Sequence, residues 1–259
     1  MPPALPTLAR WAEAAGLQAS AAPGEAELEG WLLRLSPGKA KRSRCINPLA
    51  AGTLALDTLL QRCQQAFAAA QLPLYVRLTP FSQPAELDAL LAQRGWVEED
   101  PADVLVLADL APRAPLPPQL HLQPLSATAY AAQVGAWRGS TDTEIQAHIE
   151  RMALAPQPYQ AFELRHADGR VLAGGQICLS TPTHEAPTLV GLFDIYTPAA
   201  QRRQGWARHF CRALLQHAAG QGAAHAYLQV GCDNHAAQAL YRALGFVWAY
   251  RYHYRRPPA

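Results

Sequence analysis

The chain has 259 residues, 50% of them hydrophobic, with 22 Lys and Arg against 20 Asp and Glu, for a formal charge of +2. That length and apolar share suit one large domain or two ordinary ones with a substantial core, and so small a charge excludes nucleic acid or a membrane surface as the main partner. Five scattered cysteines, Cys45, Cys63, Cys178, Cys211 and Cys232, form no Cys-x-x-Cys pair, which argues against a disulfide framework or a metal site and for a reduced, cytoplasmic chain.

The opening stretch, MPPALPTLARWAEAAGL, has no basic segment ahead of an apolar core, and nowhere do about 18 apolar residues run unbroken, so neither an export signal nor a membrane span is expected. The basic run GKAKRSR, residues 38–44, reads as a solvated loop, with binding of an acidic group as the alternative. LALDTLLQRCQQAFAAAQ, residues 54–71, has a helical period. PLYVRLTPFSQPAELDALLAQRGWVEED, residues 73–100, predicts strand, loop, helix, glycine stop, aromatic and strand. Four prolines then fall within seven positions of APRAPLPPQL, residues 111–120, and they remove backbone donors and fix φ, as in a stiff linker.

Beyond it, YQAFELR and VLAGGQICLS flank the turn signal HADG and predict a hairpin, and TLVGLFDIYT, residues 188–197, predicts the next strand. A helix from about Trp206 carries Ala207, Phe210, Leu214 and Ala218 on one stripe. A strand AYLQV, a helix and a final aromatic-rich strand VWAYRYHYR complete a mixed α/β or α+β sheet pattern.

The two ends of the halves can be laid over each other. Aligned backwards from Gly95 and Gly245, Leu90 falls on Leu240, Trp96 on Phe246 and Val97 on Val247, and both glycines suit a helix-closing position. The order of elements agrees as well, so the sequence reads as a degenerate tandem repeat: residues 1–110, a linker at 111–118, and residues 119–259.

The segment AQRRQGWARHF, residues 200–210, is a turn from strand to helix. A helix start has unpartnered N–H groups and a positive dipole end, a glycine lets an anion approach the backbone, and Arg202, Arg203 and Arg208 add charge. A diphosphate suits this better than a carboxylate, because it offers several oxygens to several donors. An exposed helix start is the plain alternative.

RRQGWA, Arg202 to Ala207, resembles the Arg/Gln-x-x-Gly-x-Gly/Ala signature of the GNAT superfamily of N-acetyltransferases, and DNHAAQALYRALGF, Asp233 to Phe246, resembles that family's Asn-x-x-Ala-x-x-Leu-Tyr-x-x-x-Gly-Phe segment. The clear resemblance covers about residues 160–255, the first half follows the family only in outline, and the whole looks like a tandem GNAT protein. Two GNAT-like domains are implied, each a mixed, mostly antiparallel sheet flanked by helices.

The resemblance implies a transfer of acetyl from acetyl-CoA to a primary amine by direct attack. Arg202, Arg203, Gln204, Gly205, Trp206, Ala207 and Arg208 would form the pyrophosphate turn, with Ala207 in place of the more usual glycine. Ile195, Tyr196 and Thr197 would offer backbone groups to the pantetheine arm. Asn234 is either a helix N-cap or a further cofactor contact, and Tyr241 either a packed aromatic or the general acid that protonates the departing thiolate. Asp194 is the leading candidate for the base, with a structural hydrogen-bonding role as its alternative. Cys232 is expected to be a buried apolar thiol, and His225, His235 and His253 to be surface or packing residues.

In the first half Pro84 stands at the position of Asn234 and Leu91 at that of Tyr241, and CINPLAAGTLALD has no arginine-glycine turn. That half is expected to be catalytically silent. A non-catalytic acyl-CoA sensor is the rival function, and a P-loop enzyme is excluded because no Gly-Lys-Ser/Thr follows the turn. The amine acceptor is not legible, and a homodimer is one assembly left open.

Overall fold

The computed structural model describes residues 3–110 and 114–258. Part of the expected linker, residues 111–113, lies outside the described residues.

The first half runs α1 (Leu5–Gln18), β1 (Gly24–Leu28), β2 (Trp31–Leu35), β3 (Ile46–Pro48), α2 (Leu56–Ala69), β4 (Val76–Leu78), α3 (Leu87–Gln93) and β5 (Val97–Leu107). The second runs β6 (Leu120–Leu125), α4 (Ala127–Arg138), α5 (Asp142–Leu154), β7 (Gln160–His166), β8 (Val171–Leu179), β9 (Leu189–Tyr196), α6 (Trp206–Gly220), β10 (His225–Gly231), α7 (His235–Ala243) and β11 (Val247–Arg256). All the elements expected from the sequence are present. The helices α1, α4 and α5 and the strands β1, β2, β3 and β6 were not anticipated.

The strands form one 11-stranded sheet in the order β1-β2-β3-β4-β11-β5-β10-β9-β8-β7-β6. Only β3 with β4 and β9 with β10 pair in parallel, so the sheet is mixed and mostly antiparallel. The last strands of the two halves are interleaved: β11 joins β4, and β5 lies between β11 and β10. Each half therefore completes the other's part of the sheet.

Alternation along the central strands builds a core on each face. Leu105 and Leu107 of β5 and Ala226 and Leu228 of β10 join Phe210, Leu214 and Ala218 of α6 in one cluster. Val104 and Val106 and Tyr227 of the same strands pack with Leu8, Ala9, Ala12 and Ala15 of α1 in another. Of the apolar stripe read on α6, Phe210, Leu214 and Ala218 have no exposed surface, and Ala207 is half-buried. Glu13 fastens α1 to the sheet, because its carboxylate accepts from Arg77 of β4 at 2.5 and 2.9 Å and from the Tyr250 hydroxyl of β11 at 2.5 Å.

The two glycine stops close their helices in the same way. Gly95 and Gly245 have φ of +78° and +96°, and the following aromatic N–H groups, Trp96 and Phe246, donate back five residues to Leu91 and Tyr241 at 3.1 and 3.0 Å. That is a Schellman closure, and it needs a residue that tolerates positive φ. No helix among the described residues is long and apolar enough to cross a membrane.

Candidate active site

The parallel pairing of β9 with β10 ends at Leu192 and Leu228, and the strands part beyond it. β9 carries one extra residue against β8 between Phe193 and Tyr196, and Asp194 within this bulge has φ of +51°. A bulge bends its strand and redirects its side chains. The backbone of residues 193–197 is thereby left without a β10 partner on the edge that faces the gap.

A cavity of about 630 Å³ opens at this gap, between the start of α6 and the exposed side of α7. Ile195, Tyr196, Thr197, Arg202, Arg203, Gly205, Trp206, Ala207, Arg208, Asn234 and Tyr241 all line it, so nearly every donor-site residue named from the sequence converges on one place. Gln204 does not line it. Its side chain instead donates to the Ala200 carbonyl at 3.2 Å and accepts from the Trp206 indole at 3.2 Å.

The turn before α6 is built to accept an anion. Gly205 is the N-cap residue at φ +80° and no side chain caps the helix; the Arg208 N–H donates to the Gly205 carbonyl at 3.0 Å, which leaves the Trp206 and Ala207 N–H groups for a bound partner. A Cβ placed on Gly205 would meet no atom within 4 Å, which leaves open space above the backbone. Arg202 turns back to donate to the Thr197 carbonyl at 3.2 Å. Arg203 and Arg208 are exposed and have no ion-pair partner among the described residues. Uncapped donors, unneutralised guanidinium groups and an open cradle together fit the diphosphate of a CoA thioester.

Asn234 caps α7, its side-chain oxygen accepting from the Ala237 N–H at 3.1 Å, while it also lines the cavity. The cap reading and a cofactor contact are therefore compatible, because the cap uses only the oxygen and leaves the amide N–H donors. Asn234→Ala should cost about 1 kcal/mol of stability from the lost cap, whereas Asn234→Asp should keep it, as measured by denaturant unfolding without ligand.

Tyr241 is 7% exposed and packs edge-on to Phe246, with ring centroids 5.9 Å apart. Its hydroxyl has no hydrogen-bond partner among the described residues, although the residue lines the cavity. Burial pushes the phenol well above its ordinary pKa, so it stays protonated at neutral pH.

Asp194 sits one residue before this lining and belongs to a different cluster. Its carboxylate accepts from Arg138 at 2.6 Å and from Gln176 at 2.7 Å, with Arg151 and His148 each 3.6 Å away. Burial would raise its pKa, but Arg138 and Arg151 outweigh that and hold the carboxyl far below the usual range. His148 is pushed down to about 4 by burial and by Arg151, and is neutral at physiological pH. The sequence did not single out Arg138, His148, Arg151 or Gln176. They come from α4, α5 and β8, and no local pattern links them to Asp194.

A second cavity, of about 650 Å³, lies on the other side of the gap and is lined by Asp194 and by Gln229 to Asp233. Cys232, expected to be a buried apolar thiol, is half-buried on its wall, and burial and Asp103 raise its pKa so that it remains a thiol. Four further residues lining it, Lys39, Ala40, Lys41 and Arg42, belong to GKAKRSR, which is not the solvated loop that composition suggested. Lys41 lies 4.2 Å from the ring centre of Tyr75 and pairs with Asp100 at 2.6 Å, and Ser43 and Cys45 are buried. Of the three histidines expected at the surface or in packing, His225 stacks on Trp11, His253 meets Asp88 at 3.0 Å and His235 is exposed.

In the first half no comparable cradle forms among the described residues. A Cβ on Gly52, the glycine before α2, would meet the Glu29 Cβ at 2.9 Å, and the Glu29 carboxylate itself accepts from the Thr53 N–H at 2.8 Å. An anion of the chain already occupies that turn. Leu91, at the position of Tyr241, is completely buried in the core under α2 and α3.

Residues 9–255 match the family model described as "Probable histone acetyltransferase Rv0428c C-terminal". Over 120 residues the chain is 27% identical to the aminoglycoside N(6')-acetyltransferase type 1 of Serratia marcescens, a match that spans 45% of this chain and 82% of that protein. The structure of this chain superposes on a GCN5-related N-acetyltransferase from Kribbella flavida with a TM-score of 0.69 at 19% identity, covering 99% of this chain and 97% of that one. A tandem GNAT protein from the clavulanic acid biosynthesis pathway superposes with a TM-score of 0.58 at 15% identity, over 77% and 68% of the two chains. At such identities the solved structures speak for the fold, whereas the family match runs through nearly the whole sequence. The chain belongs to that family, and it is an acetyltransferase of the GNAT kind.

Proposed function

We propose that the chain transfers an acetyl group from acetyl-CoA to a primary amine, with the donor held in the cavity between α6 and α7. The observation that carries this reading is the meeting, in one cavity, of an anion-receptive turn at Gly205 and a protonated, otherwise unengaged phenol at Tyr241. When bound, acetyl-CoA supplies a thioester whose acetyl carbon bonds to the amine nitrogen as the carbon–sulfur bond breaks. The turn from Arg202 to Arg208 binds the diphosphate, and the unpaired edge of residues 195–197 orients the arm. Tyr241 holds a proton at its hydroxyl for the departing thiolate.

Asp194 and Asp233 are the two acidic groups of the second cavity that stand one residue before the lining of the donor cavity, and Asp194 is the one held by arginines. An anion stabilised this strongly is a poor proton acceptor but attracts an ammonium, so we assign it to positioning the amine rather than to removing its proton. His148, which burial and then Arg151 push down to about 4, is neutral and likewise too weak a base. The amine must therefore react from its own neutral fraction, losing its proton to water. As pH rises that fraction grows, so log kcat/KM should climb with a slope of about one up to the acceptor's own pKa. A plateau that sets in near the ordinary histidine range would instead assign a protein base.

We further propose that the halves are a degenerate repeat, residues 1–110 and 119–259 joined at 111–118, with only the second catalytic. The matched closures at Gly95 and Gly245 and the shared order of strand, helix and strand support it. Thiol release from acetyl-CoA across a panel of amines tests the activity. Amine-dependent release is expected, and CoA binding without release under any amine would favour a non-catalytic acyl-CoA-binding module.

A further inference from the structure

We propose that the second cavity selects an acceptor carrying an anionic group, a carboxylate or a phosphate, within a few bonds of its primary amine. This deepens the acetyl-transfer reading and rests on it for the identity of the donor side. The two cavities are lined by consecutive residues at the parted strands: Asp194 lines one and Ile195 the other, as do Asp233 and Asn234. An acceptor held in the second cavity is thus next to the donor cavity.

Lys39, Lys41, Arg42, Arg138 and Arg151 line the second cavity with the carboxylates of Asp100, Asp194 and Asp233, and Glu144 and Glu99 outside the lining pair with Lys39 and Lys41 at 3.3 and 2.8 Å, so what distinguishes the wall is which of its cations are paired. Asp194 is already shared by Arg138 and Arg151, and Lys41 is held by Glu99 at 2.8 Å and Asp100 at 2.6 Å. Arg42 is different. It donates one N–H to the Gln229 side chain and lies 5.2 Å from the ring centre of Phe193, and no carboxylate among the described residues pairs with it. A guanidinium has five N–H donors in a planar fork, so most of that fork is left to a ligand. Its low hydration and fixed charge suit a carboxylate or phosphate.

The same wall is poorly suited to polycations. An aminoglycoside or a lysine-rich tail would bring several ammonium groups to carboxylates that, apart from the exposed Asp233, are already paired with Lys and Arg side chains. A zwitterion satisfies both parts: its ammonium faces Asp194 and its anionic end faces Arg42.

The test uses four primary amines of similar length: β-alanine, aminoethyl phosphate, β-alaninamide and a diaminopropane, each titrated calorimetrically into the full chain saturated with CoA. β-Alanine or aminoethyl phosphate is expected to bind at least about tenfold more tightly than the amide and the diamine, and which of the two leads tells carboxylate from phosphate. Arg42→Gln should weaken the tighter anion by about tenfold and bring it close to the amide. Lys39→Gln, at the rim, should weaken it less, and serves if Arg42→Gln does not fold. CoA uptake, read in the same cell before the amines are added, reports the donor site separately. Its loss would count against the donor assignment, whereas a diamine that binds best, equal affinities, absence of binding by all four, or a preference unchanged in both variants would overturn the acceptor proposal.

Discussion

Gly205→Glu is expected to abolish CoA binding while leaving the fold intact. Gly205 lies at φ +80° with open space where a Cβ would stand, so a side chain there enters the cavity without striking protein atoms. The carboxylate would occupy the anion position at the start of α6 and oppose the diphosphate. Loss of two or three charge-assisted hydrogen bonds at roughly 1.5 to 3 kcal/mol each approaches the whole of a micromolar affinity, about 8 kcal/mol. The positive φ adds strain for any side chain, and Gly205→Asn isolates that cost, because asparagine tolerates the left-handed region and brings no charge. Calorimetry should show no heat for the Glu variant and weakened but measurable binding for the Asn variant, with native circular dichroism in both. Equal affinity of the Glu variant and the wild type would remove the donor site from this turn.

Tyr241→Phe is expected to retain CoA affinity and lose about 10²- to 10⁴-fold in kcat, the range of one general-acid contribution. The ring's edge contact with Phe246 is kept and only the hydroxyl is removed, so a stability loss is not the cause. Burial holds the phenol above its ordinary pKa, so no ionisation of this tyrosine should limit the rate near neutrality. Turnover at the wild-type rate, under conditions where chemistry is limiting, would reduce Tyr241 to a packing residue.

The proposed donor cavity could be read from the sequence because its parts are local. Residues 202–208 lie on one turn and 234–241 on one helix start, and the chemistry of each depends on neighbours in sequence. The acceptor side was not. Asp194 has its partners on α4, α5 and β8, and its role is decided by Arg138 and Arg151 rather than by its place in a strand. Likewise GKAKRSR is hydrophilic in composition, and only the fold lays Tyr75, Tyr254 and Asp100 against it.

Some of what was missed had local signals. Thr141 and Glu144 form a capping box at the start of α5, and the sequence TDTE shows it. The stripe Leu8, Ala9, Ala12 and Ala15 has a helical period on α1, though its small side chains make a weak apolar pattern. The interleaving of β5 and β11 left no such trace. Both are long strands that follow a glycine closure, and which partner each one takes is fixed by long-range register alone.

The most direct test of the account is a crystal structure of the full chain grown with an excess of CoA. It should show one CoA per chain, with its diphosphate against residues 203–208 and its arm between the parted ends of β9 and β10. A second CoA against Leu56–Ala69, or a single one bound away from the Gly205 turn, would contradict both the donor site and the silence of the first half.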